Sequence, residues 1–198
     1  MFNSKAEFDV PVLSGGVIRA RLKYPTDQQW IDRQRSIRVV ERRHQKRKAE
    51  GAIKASVALF DAIAVDKEAV KDWDEDEKSA AIDFLEKCQV TGCVRDGDAF
   101  IFTMKVAGGE VTHTLGIPRM KAMRKFGKDY SNVDDNDPLV TVTRRALEPA
   151  RELWESVRKS ISGYADGSDV PIVHQDAVVG ELLMAAAGVL GGSDSDPE

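Results

Sequence analysis

Gln89 to Pro118 runs QVTGCVRDGDAFIFTMKVAGGEVTHTLGIP, with apolar residues at alternate positions, many β-branched and aromatic side chains, and two glycine-centred turn signals at hairpin spacing. The pattern predicts a three-stranded antiparallel meander. A two-residue Gly108-Gly109 loop pairs Val106 with Val111, Met104 with His113 and Phe102 with Leu115. A three-residue loop, Arg95-Asp96-Gly97, pairs Phe100 with Gly92 and Phe102 with Val90. It is preferred to a two-residue Asp96-Gly97 loop, which sets the two phenylalanines opposite Cys93 and Thr91. One face is then almost wholly apolar, and the other carries Thr91, Arg95, Thr103, Lys105, Glu110, Thr112 and Thr114. A sheet with one core face needs a helical layer over it, so the fold class is α+β.

Toward the N-terminus, residues 8–24 (FDVPVLSGGVIRARLKY) read as a second hairpin around Ser14-Gly15-Gly16. Val12 then meets Ile18, Val10 meets Ala20 and Phe8 meets Leu22. Pro11 has no amide donor, which suits an edge strand. Thr26 followed by Gln29 has the form of a capping box, with Asp27 in the first helical turn. The helix it opens is expected to continue through Trp30, Ile31, Gln34, Ile37 and Val40 or Glu41. It is strongly basic: Arg33, Arg35, Arg38, Arg42, Arg43, Lys46, Arg47 and Lys48 stand against Asp32 and Glu41 alone.

Gly51 breaks the pattern, and Ala52 to Val65 forms a helix with Ile53, Val57, Phe60 and Ile63 on its apolar face. From Asp66 to Glu86 nine acids face three lysines, and the spacing of Ala69, Val70, Trp73, Ala81, Ile82 and Leu85 predicts two short helices. This acidic stretch offsets the basic one, although exposed pairs contribute only ~0 to 1 kcal/mol each.

Beyond the meander, Arg119 to Lys128 is a short basic helix or turn, and Tyr130 to Asp137 a polar loop. Asp137-Pro138 has the form of an N-cap with proline at the first helical position. A helix is expected from Leu139 to Ile161, kinked or restarted at Pro149. Gly163 to Asp169 is a connection, residues 170–173 are extended, and Ala177 to Leu190 is an apolar helix with poorly separated faces. Residues 1–190 thus form one α+β domain: a hairpin at 8–24, a helical segment at 26–87, the meander at 89–118 and a helical segment at 119–190. The acidic stretch 191–198 is a tail.

With 198 residues, 42% hydrophobic and 31% charged, the chain can bury one core. Its net charge of −4 gives no global attraction to nucleic acid or anionic lipid. Two cysteines make no disulfide framework, no leader pattern opens the chain and no apolar run spans a bilayer, so a cytoplasmic location without membrane association is expected. Cys88 and Cys93 have the wrong spacing for zinc, and in the register above Cys93 and His113 fall on opposite sheet faces. His113 then lies at the edge of the core. No nucleophile elbow and no strand-glycine-helix phosphate cradle is present. The expectation is a protein without enzymatic activity, metal or cofactor. Its candidate contact residues, toward a protein partner or toward nucleic acid, are Arg33, Arg35, Arg38, Arg42, Arg43, Arg47 and Lys48.

Three stretches, VLSGGVIRARLKYPTDQQWIDRQR, RDGDAFIFTMKVAGGEVTHTLGIP and SGYADGSDVPIVHQDAVV, resemble in that order segments of small prophage-associated proteins of the phage tail assembly chaperone kind. The resemblance covers roughly half of the chain. It implies a protein that begins with a β-hairpin, continues in helices, and holds tail or tape-measure subunits until they polymerise. Its partners would be other phage or virion proteins, or further copies of itself. A virion structural subunit of tail or neck fits the same resemblance, with its location then in the particle instead of the host cytoplasm.

Overall fold

The computed structural model describes residues 1–13, 17–42, 48–137, 140–166 and 168–191. In chain order these form β1 (Glu7–Leu13), β2 (Val17–Lys23), α1 (Asp27–Ser36), β3 (Arg38–Arg42), β4 (Lys48–Glu50), α2 (Ala52–Ile63) and α3 (Glu75–Glu86). The meander follows as β5 (Gln89–Asp96), β6 (Ala99–Val106) and β7 (Gly109–Gly116). The remainder is α4 (Met120–Asp129), β8 (Ser131–Asp137), β9 (Val140–Arg145), α5 (Glu148–Val157), β10 (Arg158–Ser162) and α6 (Ile172–Gly191). The strands make a separate β1-β2 hairpin, a sheet ordered β10-β7-β6-β5 and a second sheet ordered β4-β3-β9-β8. The fold is α+β, as the alternation and the helical stripes require.

The N-terminal hairpin has the expected register, with Phe8 opposite Leu22, Val10 opposite Ala20 and Val12 opposite Ile18; its loop, 14–16, lies outside the described residues. The meander has the expected strands and the expected faces on β6 and β7 but different turns, and on β5 Cys93 and Arg95, expected on the opposite face, stand against Phe102 and Phe100. The second turn is Ala107-Gly108, which places Met104 opposite Val111, Phe102 opposite His113 and Phe100 opposite Leu115. That is a slip of two, so every side chain keeps its face. The reason sits at Gly108: φ is +83°, and a Cβ there would stand 2.9 Å from the Phe8 ring. The first turn is Gly97-Asp98, pairing Arg95 with Phe100 and Cys93 with Phe102. A bulge between Val90 and Gly92 then returns Val90 to a position opposite Met104.

Four expectations are corrected. The basic stretch is not a continuous helix: α1 ends at Ser36, Ile37 is extended, and the run Ile37 to Val40, three of its four residues β-branched, favours the strand that follows. Strand β3 pairs with β9 through Val39–Thr143 and Val40–Val142. Second, Ser131 to Asp137 is strand β8, antiparallel to β9, and the helix begins only at Glu148. Pro149 restarts it from the first turn, where its missing N–H costs nothing; residues 138–139 lie outside the description. Strands therefore interrupt both segments expected to be helical. Third, α6 starts at Ile172, so residues 172–173 are helical, because Asp27 Oδ1 accepts the Ile172 amide at 2.9 Å. Fourth, Asp66 to Asp74 is a series of turns, and one helix follows, opened by a capping box between Asp74 and Glu77. On α2 the buried face is Ala55, Ser56, Leu59, Phe60 and Ile63, which leaves Ile53 exposed. Residues 192–198, the expected tail, are outside the description.

Two apolar clusters make the core. One joins Phe2, the first hairpin, α1, α2, α3 and the Met104–Val111 end of the meander. The other sets Phe100, Phe102 and Leu115 under Leu153 and Trp154 of α5 and Val178, Val179 and Leu182 of α6. Val90 and Tyr164 pack against both clusters. No helix among the described residues is long and apolar enough to cross a membrane.

Candidate functional site

The capping box at Thr26 and Gln29 sets α1 so that Trp30, Ile31 and Arg33 turn inward. The Arg33 side chain is 5% exposed, with Nη1 at 2.9 Å from Glu86 Oε2, Nη2 at 3.4 Å from Asp83 Oδ1 and Nε at 3.2 Å from Ser56 Oγ. Its guanidinium also lies 5.8 Å from the Trp30 ring centroid. Arg33 therefore fastens α1 to α2 and α3, and among the described residues it is a point at which the basic and acidic segments meet. Arg35 is exposed and pairs with Glu148. Arg38 is exposed at the start of β3, Arg42 ends that strand, and Lys48 opens β4 opposite Val40. Arg43 and Arg47 lie outside the described residues. The predicted contact residues are thus divided between a helix, one of whose arginines is buried, and the first sheet strands after it.

A second set of residues is brought together by packing and not by any motif. Trp154 Nε1–H donates to His113 Nδ1 at 3.1 Å. An Nδ1 that accepts must be unprotonated, so the His113 proton is on Nε2, which reaches Tyr164 Oη at 2.9 Å. The Tyr164 hydroxyl then donates to His174 Nδ1 at 3.1 Å. His174 Nε2–H lies 3.2 Å from Tyr24 Oη, whose proton goes to the Leu85 carbonyl at 3.3 Å. An indole can only donate and a carbonyl can only accept, so both ends of the chain impose one direction on every proton between them. Both histidines are 0% exposed, which corrects the placement of His113 at the core edge.

Burial dominates the electrostatics of this relay. Desolvation lowers His113 to about 4, and desolvation, reinforced by His113, lowers His174 to about 3. It raises both tyrosine hydroxyls, and it raises Cys88 to about 12. Neutral imidazoles locked between fixed donors and acceptors, with no exposed surface, hold elements in place and offer nothing to a substrate. Phe2 packs edge-on against Tyr24, Tyr164 and His174, with ring centroids 5.0, 5.7 and 4.8 Å away.

Two carboxylates act as further clasps. Asp27 accepts from Ile172 N and, at 2.6 Å, from Arg151 Nη2, which joins α1, α5 and the first turn of α6. Asp176, 8% exposed, accepts from Tyr130 Oη at 3.0 Å and pairs with Arg145. Burial raises Asp176, and Arg145 and Tyr130 oppose that shift.

Cys93 and His113 both face Phe102 from neighbouring strands, so they share a sheet face, contrary to the sequence register. Cys93 is exposed on the edge strand, while both His113 nitrogens are engaged. Among the described residues no three His, Cys, Asp or Glu side chains are grouped to hold a metal ion. Reading His113 and His174 one at a time missed the relay, although a signal was present: His113 alternates with Val111 and Leu115 on the apolar face of β7. The chain matches no family model, no curated protein and no solved structure.

Proposed function

We propose that the chain is a non-enzymatic phage or prophage tail assembly protein, of the assembly-chaperone kind, that works through protein–protein contacts. The observation that carries this reading is the far end of α6. From Leu182 to Gly191 the helix has no charged or hydrogen-bonding side chain. Leu182 and Ala186 are buried, yet Met184 is 76% exposed and Ala187 and Gly188 are exposed. A solvated helix face normally carries charge, and a face of Met, Ala and Gly suits an apolar segment of another chain. The resemblance to prophage-associated proteins supplies the class of partner: a tail or tape-measure subunit awaiting polymerisation.

Co-expression with the tail or tape-measure protein encoded beside it tests the reading. The wild-type chain should keep that protein in the supernatant, and Met184→Glu should lose this effect with an unchanged unfolding midpoint. Retention unaffected by Met184→Glu would remove α6 from the interface, and no retention at all would end the assembly reading. Recovery of the chain from purified particles would favour a virion structural subunit.

The nucleic-acid alternative has a separate measurement. Affinity for duplex DNA at physiological salt is expected at or below the non-specific level of ~10⁻⁴ to 10⁻⁶ M. Tighter, steeply salt-dependent binding that vanishes in an Arg42, Arg43, Arg47 and Lys48 fourfold alanine variant would replace the protein-contact reading.

A further inference from the structure

The concavities on this molecule differ in whether their cations are already matched. In the groove between α1 and α2, Arg33 is committed to Asp83 and Glu86. In the cleft between α4 and α5, Lys125 meets Glu152 and Asp129. In the recess between α3 and α6, Arg145 meets Asp176, and Lys87 shares the wall with Asp83 and Glu86, so acids outnumber cations there. A fourth hollow, of about 580 Å³, lies where the end of β7, the start of α4 and the α5–β10 junction converge. Its wall includes Asp98, Ile117, Arg119, Val157, Arg158 and Lys159.

Here the balance does not close. Lys159 Nζ sits 2.5 Å from Asp98 Oδ1, which neutralises one cation and holds the Asp98 carboxyl below its ordinary range. Arg119 has no side-chain hydrogen bond or ion pair among the described residues, and Arg158 has only the Trp154 ring, 4.8 Å from its guanidinium carbon. Among the described residues, Arg119 and Arg158 therefore line the hollow without a counter-charge. The helix that opens onto it repeats the imbalance. Arg119 is the N-cap residue of α4, Lys121 follows in the first turn, and there is neither an acid in that turn nor a side-chain cap. Cations at a helix N-terminus oppose the helix dipole. An anion placed between Arg119 and Arg158 would relieve both conditions, while Ile117 and Val157 offer an apolar wall beside it.

We propose that this hollow is a binding site for a small multiply charged oxyanion, phosphate-bearing or polycarboxylate, gripped by Arg119 and Arg158. The volume lies within the range of ordinary small-molecule sites, ~300 to 1,000 Å³. Paired guanidiniums suit the oxygens of either group. The site does not depend on the assembly reading, since it lies at α4 and uses none of the exposed end of α6.

Calorimetric titration of the full chain with pyrophosphate and, separately, with citrate, at about 50 mM ionic strength where screening is moderate, tests the proposal. One saturable site per chain is expected for at least one probe, with Kd in the range of roughly 0.01 to 1 mM; the probe that binds more tightly identifies the anion class. Arg119→Ala and Arg158→Ala should each weaken binding about tenfold or more, the loss of one charge-assisted contact. Asp98→Asn, which removes the acid among the described wall residues, should tighten it. Lys23→Ala, an equal loss of charge on the distant β2, should leave it unchanged. Arg119 is exposed, so its replacement leaves the core intact. Absence of saturable binding by both probes, equal weakening in Lys23→Ala, or binding indifferent to Arg119→Ala would each overturn the assignment.

Discussion

His113 and His174 share a single hydroxyl: Tyr164 Oη lies 2.9 Å from Nε2 of the first and 3.1 Å from Nδ1 of the second. The two imidazoles come from β7 and α6, and the tyrosine from the connection after β10. Three elements of different chain regions are therefore joined at one oxygen atom, and the consequences can be measured.

Protonating either imidazole inside the core would convert an accepting Nδ1 into a donor facing another donor. Both groups titrate lower when folded than the ordinary value of 6.5, at about 4 and about 3. The unfolded chain then binds more protons below pH 6.5, so the stability due to neutral histidine is complete above that pH and falls as the pH drops toward the folded values. Each histidine should cost on the order of 2 kcal/mol between pH 7.5 and 5. Asp176, raised by burial, acts in the opposite direction at more acid pH. Urea titrations at the two pH values test this, and equal stability at both would refute it.

Tyr164→Phe removes the shared oxygen and preserves the ring. One buried N–H and one buried ring nitrogen then lose their partners, at about 1 to 3 kcal/mol each. A loss of roughly 2 to 4 kcal/mol is expected in chemical denaturation. A loss under about 0.5 kcal/mol, the scale of ordinary surface substitutions, would mean that the hydroxyl is not held in the relay.

Gly163 precedes that tyrosine with φ of +85°, and a Cβ there would stand 2.5 Å from the Glu110 carbonyl oxygen and 2.8 Å from Val111 Cα. Both obstacles are backbone and cannot rotate aside. Gly163→Ala should therefore destabilise by about 2 kcal/mol or more, combining left-handed strain with overpacking. An unchanged thermal midpoint would contradict this geometry.

Arg33 and Arg38 lie five positions apart in one basic run yet should behave differently. Arg33→Ala withdraws a buried guanidinium from the Glu86 and Asp83 carboxylates, which are partly open to solvent and rehydrate, and from the buried Ser56 hydroxyl, which does not. A cost of about 2 to 3 kcal/mol follows, against less than about 0.5 kcal/mol for the exposed Arg38→Ala. Equal effects would show that Arg33 is not the clasp between α1, α2 and α3.

Local chemistry explains which parts of the fold were legible in the sequence. Alternation and glycine turns predict β1, β2 and the meander strands, because each is paired with its neighbour in the chain. Sheet β4-β3-β9-β8 is different: Val40 meets Val142 across a long separation, and β8 reads SNVDDND, without an alternating apolar face. Its strand character comes from pairing with β9, Asp137 opposite Val140, and β9 is held in turn by the distant β3, which no local window contains. The relay was hidden for a related reason. His113, Tyr164 and His174 are unremarkable singly, and only the packing of β7, α5 and α6 makes them partners. The basic residues were legible as a charge excess, but not which of them turns inward, since that depends on where α1 stops.

The burial of Phe2 has a consequence for timing. Its ring rests on Tyr164 and His174, and its backbone joins Gly163 and Ala165 through two 2.7 Å hydrogen bonds. Phe2 is made well before these partners and thus finds its full set of contacts only once the chain has been extended past residue 174. At about 5 to 20 residues per second, this portion of the nascent polypeptide waits on the order of ten seconds or more on the ribosome. During that interval a bare aromatic side chain is open to chaperones and to proteolysis, and any message cut short before Gly163 yields a product in which Phe2 lacks both backbone partners and the rings of Tyr164 and His174.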